Sequence, residues 1–375
     1  NKTTGMKLDI RTKALGLAFH PFDWDSKEVR LRYLDLNNGH VVLTSGSGRK
    51  SVNSEKKPFD WIFGVEELRL DSVSYTMYSS SMPYLGSGIE KGRITRAKVD
   101  IGREFVNADS VNLKGGGCSI LIGKADRADK GPVVNTTKGE WEVRVNNLYL
   151  SNSRFELNNS EKKAEKFEIA LSGIGVLIDS VYNRSRIVKG NLRELTFVQD
   201  SGIYMKHFSG HVDLDSATSD AVGLRIITSH TNLIADAALG APVGDVVGGY
   251  PFRVAMKGSV GLSDIVPFYD GIPDAIRSKR LNVDASLVWS KEYLSLKKLK
   301  LDMENCFALE ARGNLESLND IENFTGSLEF HGRTDSTLFI RKGAKNREFN
   351  IPDHTEVYGN FKAYKGKIAP VIRIG

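Results

Sequence analysis

The 375-residue chain carries 52 Lys and Arg against 46 Asp and Glu, a formal net charge of +6, with both signs interspersed. Phosphate neutralisation needs a concentrated basic face, so nucleic acid is excluded as the main partner. The two cysteines, Cys118 and Cys306, supply neither a disulfide scaffold nor a cysteine-based zinc spacing, and runs such as residues 173–178 are far too short to span a bilayer.

From the first residues onward the pattern is period two. Apolar residues alternate with charged or small ones at Met6-Lys-Leu8-Asp-Ile10, Val29-Arg-Leu31-Arg-Tyr33, Val99-Asp-Ile101, Val143-Arg-Val145, Phe167-Glu-Ile169, Val212-Asp-Leu214 and Val283-Asp-Ala285. This is the signature of half-buried antiparallel strands. A longer phrase recurs three times, built on Val65, Leu68, Leu70, Val73 and Tyr75, on Val145, Leu148, Leu150, Phe155 and Leu157, and on Leu299, Leu301, Phe307 and Leu309. Turn formers interrupt it at Asn37-Asn38-Gly39, Asp71-Ser72, Gly115-Gly-Gly117, Asn152-Ser153, Asp200-Ser-Gly202 and Glu304-Asn305, which predicts a meander of hairpins. The polar pairs Glu66-Glu67 and Lys297-Lys298 mark places where a bulge would reset register.

Helical signals are few. Residues 263–269 and 272–280 predict one or two short helices, and 160–166 is charged all round. Residues 44–58 and 123–140 read as long loops, and 341–347 as a solvated basic loop. Soft boundaries divide the chain into segments 1–125, 126–250 and 251–375, expected to form one elongated sheet. The first five residues carry neither an initiator Met nor a signal pattern, so the sequence reads as an internal excerpt.

Too few helices are expected to cover an apolar sheet face. That leaves a sandwich, a solenoid, a barrel, or an all-β sheet curled into a trough with an apolar groove. Acyl chains would fill such a groove, at roughly 0.8 kcal/mol per buried methylene; the competing role of the same residues is an ordinary protein core.

Signals for chemistry are sparse. His207 and His211 are four apart, but in strand-like context. Asp213, Asp215 and Asp220 lack the glycine and closing glutamate of a calcium loop. The glycines at 115–117 precede a strand, so they do not cradle phosphate. The reading is of a non-enzymatic chain with no cofactor and no metal. Asp-Ser followed by a small or aliphatic residue occurs at Ser72, Ser110, Ser180 and Ser216. These triplets are hairpin-turn formers, and they resemble the O-glycosylation sequon of exported Bacteroidetes proteins.

The Leu-x-Leu units, together with Tyr250-Pro-Phe-Arg-Val, Leu262-Ser-Asp-Ile-Val-Pro-Phe-Tyr269, Leu281-Asn-Val-Asp-Ala and Gly313-Asn-Leu-Glu-Ser-Leu318, resemble the AsmA-like superfamily. Within it they are most similar to the periplasmic region of the TamB type (translocation and assembly module), in its Bacteroidetes form. The resemblance covers residues 60–340 most clearly. It implies a long curled β-sheet in the periplasm, carried on an inner-membrane anchor, along which phospholipid acyl chains slide towards the outer membrane. It also implies a link to outer-membrane protein assembly through an Omp85-type partner. The anchor and the distinctive C-terminal domain of that type are not recognisable here, so partner docking falls outside these residues. Implied groove residues are the fourteen apolar positions of the three repeated phrases. The alternatives are a structural or adhesive β-solenoid or sandwich with a filled core, and a glycan-active β-enzyme.

Overall fold

The computed structural model describes residues 6–21, 25, 27–45, 60–78, 84–122, 141–159, 168–185, 187–215, 217–241, 250–269, 271–320, 322–335 and 354–375. The described residues are almost all β, in open curled sheet with no closed barrel among them, and the chain divides into two units at Asp200/Ser201. That division falls inside the expected middle segment 126–250.

The first unit holds eight strands: β1 (Met6–Phe19), β2 (Glu28–Ser45), β3 (Ile62–Tyr78), β4 (Tyr84–Asp100), β5 (Phe105–Ile122), β6 (Glu142–Asn159), β7 (Glu168–Arg184) and β8 (Ile187–Gln199). Each pairs with the next. The β2–β3 and β5–β6 ladders are parallel and the others antiparallel, so the unit is not a pure meander. A parallel neighbour requires a connection long enough to return to the start of the strand. Residues 46–59 and 123–140, which make those two returns, lie outside the described residues, as do 160–166 and 341–347.

Several expected hairpin turns are not turns. Asn37–Gly39, Asp71–Ser72, Gly115–Gly117 and Asn152–Ser153 all lie inside continuous strands of 17 or 18 residues. Asn38, Ser72, Gly115 and Asn152 have φ of 50°, 55°, 57° and 49°, and each is left out between paired neighbours, in the β1–β2, β3–β4 and β5–β6 ladders. A left-handed residue serves a tight turn and a β-bulge equally well, and here it makes the bulge. The bulge positions line up across neighbouring strands. A second line runs through Glu66, Arg96, Asp109, Asn146 and Ser180, again skipped by the pairing. Asp109 anchors it, accepting from Arg96 and, at 2.8 Å, from the Asn146 amide. Glu304-Asn305 and Asp200-Ser201-Gly202 are turns, as expected.

The consequence is a fixed spacing. Each bulge puts two consecutive residues on the polar face, so the apolar face recurs at i, i+3, i+5, i+8, i+10 and i+12. Leu31, Leu34, Leu36, Gly39, Val41 and Leu43 follow it on β2, as do Val145, Leu148, Leu150, Ser153, Phe155 and Leu157 on β6. Without the bulges a three-residue step would throw Leu68 onto the face opposite Val65.

The second unit contains β9 (Tyr204–Leu214), β10 (Ser219–Ile227), β11 (Asn232–Leu239), β12 (Phe252–Gly261), β13 (Arg280–Trp289), β14 (Tyr293–Met303), β15 (Phe307–Glu316), β16 (Thr325–Thr334), β17 (Thr355–Tyr364) and β18 (Lys367–Ile374). All pair antiparallel with their sequence neighbours. Lys297 is skipped in both β14 ladders, as its polar pair suggests. Between β12 and β13 lie two 3-10 turns, Leu262–Asp264 and Asp274–Ile276. Gly261 occupies the cap position of the first of them, with no side-chain cap hydrogen bond.

Core formation is lopsided. Among the described residues twelve apolar side chains are buried, and eleven belong to the second unit; the first unit contributes Ala108 alone. In the second unit Leu262, Ile272, Met303 and Cys306 form a cluster around the 3-10 segment, with Phe307 packed against it.

Candidate lipid-contact face

Residues directly opposite in a ladder point to the same side of a sheet. The first-unit registers therefore assemble the apolar positions into rows across the strands. One row runs Leu34–Leu68–Ile94–Val111–Leu148–Ile178, a second runs Leu36–Leu70–Gly92–Leu113–Leu150–Val176, and a third contains Val41, Tyr75, Ser87, Cys118, Phe155 and Leu171. Leu157 lies between Ile120 and Ile169, Val145 between Ala108 and Val181, Val65 between Leu31 and Ala97, and Val73 opposite Ile89. At about 4.8 Å per strand, six strands give an apolar strip roughly 24 Å wide. Gly92 lets its neighbours close in; a Cβ there would lie 3.0 Å from both Leu70 and Leu113.

In the second unit Leu299 lies opposite Ala285 and Ala311, and Leu301 opposite Val283 and Leu309. Phe330 covers Gly359, where a Cβ would sit 2.0 Å from the ring.

All fourteen groove candidates are half-buried; none is buried and none fully exposed. That is the state of a side chain flanked by strand neighbours with its outer surface uncovered. In a filled sandwich the same positions would be sealed by an opposing layer. Phe307 is the exception in its surroundings, because it packs on the closed cluster of the second unit. Sequence reasoning missed the neighbouring members of the rows, Ile94, Val111, Leu113 and Ile178; the i, i+3, i+5 spacing would have found them.

The opposite face is charged and tied across strands. Glu67 accepts from Arg69 at 2.9 Å and from Arg93 at 2.7 Å, Lys298 donates to Asp284 at 2.5 Å, Lys300 to Glu310 at 2.6 Å, and Arg312 to Glu329 at 2.8 Å. These hydrogen bonds hold the Glu67, Asp284 and Glu310 carboxyls below their usual range. On the apolar side, burial pushes the Cys118 thiol up.

Other candidates resolve differently. Ser72 and Ser180 are exposed bulge residues with φ of 55° and 57°, and the Ser72 hydroxyl donates to Asp71 at 2.9 Å. Ser110 is half-buried and paired between Thr95 and Asn147, while Ser216 lies outside the described residues. The hairpin role assigned to these triplets holds only at Asp215, whose carboxylate accepts the Ala217 and Thr218 amides at 2.6 Å. His207 and His211 lie on β9, about 13 Å apart along an extended strand, and His207 bonds Ser209 at 2.9 Å. A cavity of about 990 Å³ opens along the β14–β18 ladder beside Lys300, Glu310, His331, Tyr358 and Arg373.

The class these features define is an open, curled, two-faced β-sheet, whose apolar side in the first unit is half-buried and meets no opposing layer among the described residues. The chain matches no protein-family model, no curated protein and no solved structure.

Proposed function

We propose that this chain is a segment of a non-enzymatic, bridge-like envelope protein of the AsmA/TamB type. Its apolar face shields phospholipid acyl chains while headgroups stay in water. The reading rests above all on the registered apolar rows of the first unit, where Ala108 is the one buried apolar residue described. The occupant must be apolar, and a sliding chain needs no specific pocket. Transport is passive: the sheet lowers the cost of moving an acyl chain through water, and direction is supplied elsewhere.

Location in the periplasm, an inner-membrane anchor and an Omp85-type partner follow from the resemblance and concern regions outside these residues. The non-enzymatic reading rests on the sequence, which offers no catalytic constellation; in the cavity beside β14–β18, Glu310 and Glu329 are engaged by Lys300 and Arg312.

Lipid extraction and mass spectrometry of the purified protein test the proposal. Phospholipid should co-purify, and should be lost from a Leu148→Asp, Leu150→Asp variant that remains folded. A protein free of lipid would favour the structural or adhesive alternative.

A further inference from the structure

Pro267, Phe268 and Tyr269 are exposed at the tip of the segment joining β12 to β13, with Phe268 70% and Tyr269 62% accessible. This is a fixed tip. Leu262 and Ile272 are buried with Met303 and Cys306, and Ile265 and Val266 pack on them. The backbone closes on itself: Leu262 N–H donates to the Lys279 carbonyl at 3.0 Å, and Phe268 and Tyr269 N–H both donate to the Ile265 carbonyl, at 2.9 and 3.1 Å. Asp264 is clamped from the other side by the Thr228 and Thr231 hydroxyls at 2.5 and 2.6 Å. The Tyr269 ring lies over Gly271, where a Cβ would sit 2.4 Å from the ring.

The tip also has a defined position on the apolar side of its unit. Met303 and Phe307 lie one alternation beyond Leu301 and Leu309, so the cluster that carries the tip sits at the end of the apolar face. We infer that Phe268 and Tyr269 insert into the interfacial region of a phospholipid bilayer, docking this end of the apolar face on a membrane. This deepens the proposed function and rests on it for the acyl path that the contact would serve, though not for the membrane contact itself.

Two physical points favour a bilayer over a protein partner. A convex tip of three residues offers far less than the roughly 800 Å² per side that a stable protein interface buries. Phe beside Tyr, one wholly apolar and one with a polar end, is the pairing that settles at the headgroup boundary. Charge plays little part. Within residues 262–280 the cations Arg277, Lys279 and Arg280 are matched in number by Asp264, Asp270 and Asp274, and Arg277 is paired with Asp274 at 3.1 Å. The contact should therefore tolerate salt.

The test is flotation of the purified protein with phosphatidylcholine vesicles and with phosphatidylethanolamine/phosphatidylglycerol vesicles. The protein should float with both, at low and high salt, and Phe268→Ser, Tyr269→Ser should weaken binding at least about tenfold. Thermal melts check that the variant is folded, and a Phe268→Trp variant should shift its emission to the blue on adding vesicles. Flotation of the serine variant at the wild-type level, flotation lost in high salt, or no emission shift would each overturn the inference. Lipid co-purification is read on the same serine variant: retained lipid with lost flotation supports the tip and leaves the acyl path intact. Lost flotation with no lipid in either protein supports the tip and removes the acyl path.

Discussion

Gly115 and Asn152 stand opposite each other in the parallel β5–β6 ladder, both left-handed at φ of 57° and 49°, between the paired residues Lys114/Ser151 and Gly116/Ser153. Two adjacent strands thus make the same irregularity at the same level, and the apolar residues on both sides of it stay on one face. A lone bulge would break the rows; matched bulges carry them through.

Asn152 should accordingly resist β-branched replacement. Asn152→Val forces a branched side chain into the left-handed region at a cost of about 1–2 kcal/mol, while Asn152→Gly should be close to neutral. Urea unfolding of the two variants measures the difference. Equal destabilisation by both would show that the side chain, and not the backbone conformation, matters at this position.

Deleting Asn152 should do more than destabilise. The deletion resets the strand by one residue, which moves Phe155 and Leu157 to the charged face and Arg154 and Glu156 to the apolar one. Loss of a cooperative unfolding transition in the first unit is the expected outcome; a normal transition would mean that the rows beyond the bulge do not stabilise the sheet.

Among the described residues the registered ladder of β18 is the one it makes with β17. Glu356 and Gly375 exchange both backbone hydrogen bonds, at 3.0 and 2.9 Å. Alternation along the antiparallel ladder then turns the Pro370 nitrogen, opposite Phe361, away from β17. All eight residues of β18 are exposed, Ile372 and Ile374 by 59% and 74%, and a strand paired on one side can accept another on the other. Pro370→Val restores an outward N–H and should drive self-association, read by light scattering at fixed concentration. An unchanged mass would assign edge protection to Lys367 and Arg373 instead.

The charged face predicts the acid response. Glu310, Asp284 and Glu67 have folded-state pKa values below their ordinary ones because hydrogen bonds from Lys300, Lys298 and Arg69 favour the ionised forms. A depressed carboxylate stabilises the fold above its unfolded pKa and loses that contribution as pH falls through the folded value. Stability should be flat above pH 5 as far as these groups are concerned, and fall below the ordinary glutamate value of 4.5. The pairs are exposed, so each effect is small and should shrink in high salt. Denaturation midpoints against pH, for wild type and Lys300→Met, check both sign and origin.

How far the sequence could be read depended on which feature was local. The alternation at Leu68/Leu70 and Leu148/Leu150 depends only on strand periodicity, so the all-β class and the apolar side were legible. The sequence around Ser72 and Asn152 fits a turn because a left-handed residue is required by both a hairpin and a bulge. What separates them is the stretch beyond: the apolar spacing continues through Val73 and Tyr75, so the strand does not reverse. The parallel partners of β2 and β5 are set by contacts across the long returns, which no local pattern encodes. Phe307 sits beyond the turn at Glu304-Asn305, beside Met303 and Cys306, and its packing depends on a segment more than 25 residues upstream.

The central claim is that the apolar rows meet lipid and not another layer of protein. Its most direct test is a photo-crosslinking residue placed in turn at Leu70, Leu150 and Leu301, with Arg69 and Tyr149 as controls on the opposite face, followed by mass spectrometry of the adducts. Phospholipid adducts at all three apolar positions and at neither control are predicted. Protein-only adducts at Leu70, Leu150 and Leu301, or equal lipid labelling of both faces, would contradict it.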